Sequence, residues 1–114
     1  MNKVFVCGNF DFIRAVKDEL DMRYGIECNV LDVTKNYPHT EVLQKQIKEA
    51  SCMIVQCSTI RDIVYYLIGY ALGCKTFTVG IDDGDIPDMP EVYDKFNLLF
   101  EDMSDITDII EDIV

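Results

Sequence analysis

Residues 52–57 read CMIVQC. The apolar core of this run is continuous, the pattern of a strand covered on both faces, as strands of parallel sheets are. Its neighbours carry a different period. Before it, Thr40 to Ala50 places Val42, Leu43 and Ile47 on one side of a helix. After it, Ile60 to Leu72 does the same with Ile60, Val64, Leu67, Ile68 and Ala71. Further out, KVFVC (Lys3–Cys7), IECNVL (Ile26–Leu31) and KTFTVGI (Lys75–Ile81) read as strands, and FNLLF (Phe96–Phe100) as a fifth. A helix is expected from Asp11 to Tyr24, with Phe12, Ala15, Val16 and Leu20 on one side and Gly25 closing it. A last helix is expected around Ile106, Ile109, Ile110 and Ile113.

Strands alternating with helices give βαβ units and a parallel sheet, and right-handed crossovers restrict the order. The expectation is an α/β fold: a single three-layer sandwich with a flavodoxin-like five-stranded parallel sheet of order 2-1-3-4-5. With 114 residues and no internal repeat or low-complexity linker, residues 1–114 read as one domain.

The formal net charge is −11, unevenly placed. Acids and bases balance up to Ile81; from Asp82 onward twelve acids face one base, Lys95. This balance argues against a nucleic-acid partner, whose backbone demands Lys and Arg. It suits solubility or a basic protein partner. No apolar run is long enough to span a membrane, and MNKVFVCGNF reads as a strand rather than a leader. The five cysteines, Cys7, Cys28, Cys52, Cys57 and Cys74, form no CxxC pair. They are expected to be free thiols in a reducing cytoplasm. His39 is the one histidine and precedes a helix, so a zinc site is not expected; nor does DDGDIPD have EF-hand spacing.

In open α/β sheets ligands lie beyond the carboxyl ends of the strands, where strand order switches. Here that crevice would be lined by Gly8, Asn9, Phe10 and Asp11 after the first strand, and by Gln56 to Arg61 after the third. Gly8 allows a turn and close approach of a ligand to the backbone. Ser58 or Thr59 could cap the third helix, with Asp62 completing a box-like arrangement. Arg61 is poorly placed for the helix dipole and could serve an anionic ligand.

YLIGYALGCKTFTV (Tyr66–Val79) resembles the signature helix and strand of nucleoside 2-deoxyribosyltransferases. KVFVCGNF is similar to that family's first strand and turn, and FNLLFEDMSDITDIIEDI (Phe96–Ile113) to its closing segment. The resemblance implies a covalent deoxyribosyl transfer by a Glu two residues before the motif glycine. Here that position is Leu67, which cannot attack an anomeric carbon. The family's orienting Tyr corresponds to Phe5, and its sugar-binding Asp to Arg61, with Asp62 one step off. Asn97 keeps the Asn that, in the family, reaches a neighbouring subunit's sugar site. Gly69 is expected to let the helix pack closely against the sheet.

Three functions are open on these residues. One is a divergent, non-catalytic protein binding a nucleoside, nucleotide or related ribosyl ligand through Gly8, Asn9, Phe10, Ser58, Arg61, Asp62, Tyr70 and Asn97. The second is an active N-glycosidase or deoxyribosyltransferase using another carboxylate, with Asp11, Asp62, Asp82 and Asp83 as candidates. The third is an acidic protein-interaction module. No cofactor or metal is implied. The resemblance and the Tyr- and Ile-rich VYYLIGY (Val64–Tyr70) suggest a homo-oligomer.

Overall fold

A computed structural model describes residues 3–35, 39–82 and 95–100, excluding the side chains of 21–24. The elements are β1 (Lys3–Gly8), α1 (Phe10–Tyr24), β2 (Glu27–Asp32), α2 (Thr40–Glu49), β3 (Cys52–Gln56), a short 3₁₀ turn (Cys57–Thr59), α3 (Asp62–Gly73), β4 (Phe77–Ile81) and β5 (Leu98–Phe100). Five parallel strands form one sheet in the order β2-β1-β3-β4-β5. This is the flavodoxin-like α/β fold. The helix expected around Ile106–Ile113 and the acidic stretch from Asp83 lie outside the described residues.

Alternation along the central strands sorts the core into two layers. Val4, Val6, Cys52 and Ile54 face α1 and pack with Phe12, Ile13, Val16 and Leu20. Phe5, Cys7, Met53 and Val55 face the other way, onto Leu43 and Ile47 of α2 and Val64, Leu67, Ile68 and Ala71 of α3. Every residue of β3 is buried, as its unbroken apolar run requires. Fully burying one such side chain contributes about 1.5–3 kcal/mol.

Local chemistry sets the helix ends. Asn9 caps α1: its side-chain oxygen accepts from the Phe12 amide at 2.9 Å. Gly25 ends α1 in the left-handed region, φ 60°. The expected cap of α3 by Ser58 or Thr59 is corrected. Both residues lie in the 3₁₀ turn, and the Thr59 hydroxyl donates back to the Gln56 carbonyl at 2.8 Å. That turn moves the start of α3 to Asp62, where Arg61 is the N-cap with no side-chain cap bond. His39 stands at the N-cap of α2, exposed and likewise without one.

Gly69 is also corrected. It is exposed, and a Cβ there would meet nothing within 4 Å. The residues of α3 that pack against the sheet are Val64, Leu67, Ile68 and Ala71, while Gly69 lies on the outward face.

Candidate functional site

The carboxyl ends of β1 and β3 meet side by side, as the strand order requires. Their junction is occupied by the chain itself. The Gln56 side chain accepts from the Asn9 amide at 2.9 Å. A Cβ on Gly8 would meet the Phe12 ring at 2.6 Å and Gln56 Oε1 at 2.8 Å. Glycine is required here by the close packing of Phe12 and Gln56.

Leu67, at the position of the family nucleophile, has no exposed surface. Phe5, at the position of the orienting Tyr, is equally buried and belongs to the same core cluster. The two positions where the resemblance would place sugar chemistry are thus packed hydrocarbon. A carboxylate at residue 67 would have to be taken out of water among apolar neighbours, at a cost of several kcal/mol unless paired.

The other expected residues separate into two groups. Phe10, Asp11, Arg61 and Asp62 lie near the carboxyl ends of the strands, all exposed. Asp11 and Asp62 stand in the first turns of α1 and α3, where a carboxylate complements the helix dipole. The Arg61 guanidinium reaches the Val33 carbonyl beyond β2, at 3.4 Å. Ser58 is half-buried in the 3₁₀ turn. Asp82 follows β4 and donates its amide to the Phe100 carbonyl at 2.7 Å.

Tyr70 and Asn97 fall elsewhere. Tyr70 is late in α3, the end remote from the strand carboxyl termini. It hydrogen-bonds with Cys74, and that bond raises its phenol above the ordinary range. Asn97 precedes β5, at the opposite end of the sheet from Gly8. Its Oδ1 accepts from the Thr78 amide at 2.8 Å and lies 3.1 Å from the Thr78 hydroxyl. Its amide donates to the Thr78 carbonyl at 2.9 Å. Asn97 fastens β5 to β4 and satisfies a fully buried hydroxyl.

A groove that neither motif nor spacing announces lies beside the crevice, between α1 and β2. Its volume is about 380 Å³, and Phe10, Ile13, Arg14, Lys17, Val30 and Lys35 are among its lining residues, within the range of small-molecule sites. Phe10 is 53% exposed, and the Lys35 ammonium lies 5.2 Å from its ring centroid, within cation–π reach. Asp32, at the end of β2, also lines it. Its Oδ1 accepts from the Thr34 hydroxyl at 2.6 Å and the Thr34 amide at 2.9 Å. These bonds, with Lys35 nearby, hold its carboxyl below the ordinary value. In sequence Arg14 and Lys17 read as the polar face of a helix, and only the placement of β2 beside that face makes a groove of them.

None of the five cysteines takes part in a disulfide. Burial pushes the Cys7 and Cys52 thiols up to about 12. The described residues contain no group of three or more His, Cys, Asp or Glu able to hold a metal. None of their helices is long and apolar enough to cross a membrane.

No protein-family model matches the chain, and no curated protein matches it. A solved structure does: a chain of the RPS4 and RRS1 TIR domain heterodimer, at 17% identity and a TM-score of 0.54, covering 96% of this chain and 93% of that one. The likeness is one of fold, the same parallel α/β sandwich.

Proposed function

We propose that this chain is a divergent nucleoside 2-deoxyribosyltransferase-like protein that binds a nucleoside or nucleotide and does not perform the family's covalent chemistry. The observation that carries the second half is the burial of Leu67 and Phe5 together in one apolar cluster. For the first half, the support is the exposed Phe10 ring, the cations Lys35 and Arg61, and an ionised Asp32, which lie beyond the carboxyl ends of β1, β2 and β3. An aromatic face can stack a base, ammonium and guanidinium groups suit phosphate, and a carboxylate accepts from ribose hydroxyls.

The test is a thermal-shift panel of nucleosides, deoxynucleotides, ADP-ribose and NAD, with free base measured in parallel. A ligand at about 100 times its dissociation constant adds roughly 2.7 kcal/mol, a shift of several degrees for a chain of this size. The expected outcome is a shift with a nucleotide and no base release. Base release abolished by Asp11→Asn, Asp62→Asn or Asp82→Asn would establish the N-glycosidase instead. A flat panel on a folded protein would overturn the binding reading.

A second reading, a protein-interaction module, is favoured by the neighbour's being a heterodimer and by the charge of −11. Association with a basic partner that weakens as salt rises supports it. Sedimentation at several concentrations tests the expected homo-oligomer.

A further inference from the structure

The outer side of α3 is unlike that of the other helices. α1 exposes Arg14, Lys17 and Asp18, and α2 exposes Glu41, Lys45 and Lys48. From Ile63 to Cys74 no residue is charged, in a chain that is 27% charged. The inner side of α3 packs Val64, Leu67, Ile68 and Ala71 on the sheet. Its outer side shows Tyr66, 51% exposed, with Gly69, Leu72 and Gly73, also exposed. A helix with no charged side is ordinarily covered all round.

The outer residues are arranged symmetrically about Gly69. At about 100° of turn per residue, Tyr66 and Gly73 fall on one side of it, and Tyr65 and Leu72 on the other. The first side is the one toward α2, since the Tyr66 hydroxyl accepts from Gln44 Nε2 at 2.7 Å. On the second, a hollow of about 60 Å³ is lined by Tyr65, Ile68, Gly69, Leu72 and Lys95; an ammonium beside tyrosine rings is favourable. A Cβ on Gly69 or Gly73 would meet nothing within 4 Å, so the helix surface is low at both. The ends of the uncharged stretch carry opposite signs: Asp62 opens it and Lys75 follows it, both exposed. Among the described residues neither is in an ion pair.

We infer that two copies of this chain associate through the outer face of α3, with the helices antiparallel about a twofold axis at Gly69. That axis brings the two Gly69 backbones together. It sets Tyr66 opposite the partner's Gly73 and Tyr65 opposite the partner's Leu72, and brings Asp62 level, to within one residue, with the partner's Lys75. Each contact occurs twice, bulk against low surface and acid against base. Parallel helices would instead oppose Tyr66 to the partner's Tyr66 and Asp62 to the partner's Asp62. Charge favours the same face. Residues 40–75, which include α2 and α3, hold three acids and four bases in a chain of net charge −11, so two copies approach there without the repulsion of their acidic remainder. The Arg61 guanidinium is turned away, toward the Val33 carbonyl. A crossing of two helices roughly 18 Å long makes a small interface, so the pair is weak, with dissociation in the micromolar range. The inference rests on the homo-oligomer expected above and gives it a face; it holds or fails without nucleotide binding.

The test is sedimentation of the full chain across the micromolar-to-millimolar range, with thermal melts of the dilute protein alongside. The wild type is expected to pass from monomer to dimer. Lys75→Asp is expected to weaken the dimer about tenfold, since two exposed ion pairs become two repulsions. Lys75 has φ 61°, a conformation in which aspartate is at home, so the variant keeps its fold. Asp62→Lys/Lys75→Asp is expected to restore the affinity, because the swapped charges meet again only across an antiparallel pair. Gly69→Ala is expected to divide the two readouts. In the dilute monomer it raises the melting temperature through helix propensity, while at high concentration the added methyl groups meet at the axis and weaken the dimer. A chain that stays monomeric throughout would overturn both the oligomer and its face. A dimer indifferent to Lys75→Asp and Gly69→Ala would keep the oligomer and overturn this face. A loss in Lys75→Asp that the double variant does not recover would overturn the antiparallel pairing.

Discussion

At the scale of single residues, Gly69 and Leu67 carry the most information. Both belong to the segment that resembles the deoxyribosyltransferase signature, and they face opposite ways. Leu67 is sealed in the core, while Gly69 is exposed with no atom near the position its Cβ would take. A glycine inside a helix costs about 1 kcal/mol relative to alanine, and among the described residues no contact at Gly69 offsets that. Gly69→Ala is expected to stabilise the protein by up to about 1 kcal/mol, raising Tm by a few degrees in a calorimetric scan. A loss of stability would mean that the outward face of α3 is covered in solution. The apolar identity of Leu67 was legible in the helical stripe with Val64, Ile68 and Ala71. The outward position of Gly69 was not, because a motif match says which residues are shared and not which side of the helix meets the sheet.

At the scale of elements, the start of α3 is the least satisfied. A 3₁₀ turn takes up Ser58 and Thr59, and Arg61 becomes an N-cap that offers no acceptor to the first amides. Its positive charge also opposes the dipole. Arg61→Ser is expected to add about 1 kcal/mol in urea unfolding, less what is lost with the 3.4 Å bond to the Val33 carbonyl. The cap of α1 was readable, since Gly8-Asn9 ends a strand and Asn is a preferred cap. The cap of α3 was not, because Ser58, Thr59 and Arg61 could each begin a helix. The choice rests on how the chain leaves β3, where the Gln56 carbonyl accepts from Thr59 and the Gln56 side chain holds Asn9. Asn97 shows the same dependence on distant partners, since its bonds to Thr78 join β4 to β5.

At the scale of the whole molecule, two thiols tie stability to alkaline pH. Cys7 and Cys52 have their native pKa values pushed from 9.0 to about 12 by burial. From pH 9.0 upward the unfolded chain loses these protons and the native one keeps them. Native stability is therefore full below pH 9.0 and falls toward pH 12, by about 1.4 kcal/mol per pH unit for each thiol. Urea unfolding across this range should show a steeper fall in the wild type than in Cys7→Ala/Cys52→Ala. Equal slopes would show that the native thiols ionise as freely as the unfolded ones. Below that range both sites are expected to resist thiol reagents until the protein unfolds.

The sequence by itself determined the alternation of strands and helices, the parallel sheet and its order. Hydrophobic period and turn residues are local, and handedness leaves few ways to connect such elements. It also determined that a leucine stands where the resembling family has its nucleophile. Only the tertiary structure decided what surrounds these residues. It filled the β1–β3 crevice with Phe12 and Gln56, and sent Asn97 and Tyr70 to the far end of the molecule. It also set Arg14, Lys17 and Lys35 around one groove between α1 and β2. The reason is physical. Burial and hydrogen-bond satisfaction are settled between segments distant in sequence, and no local pattern records which partner each will meet.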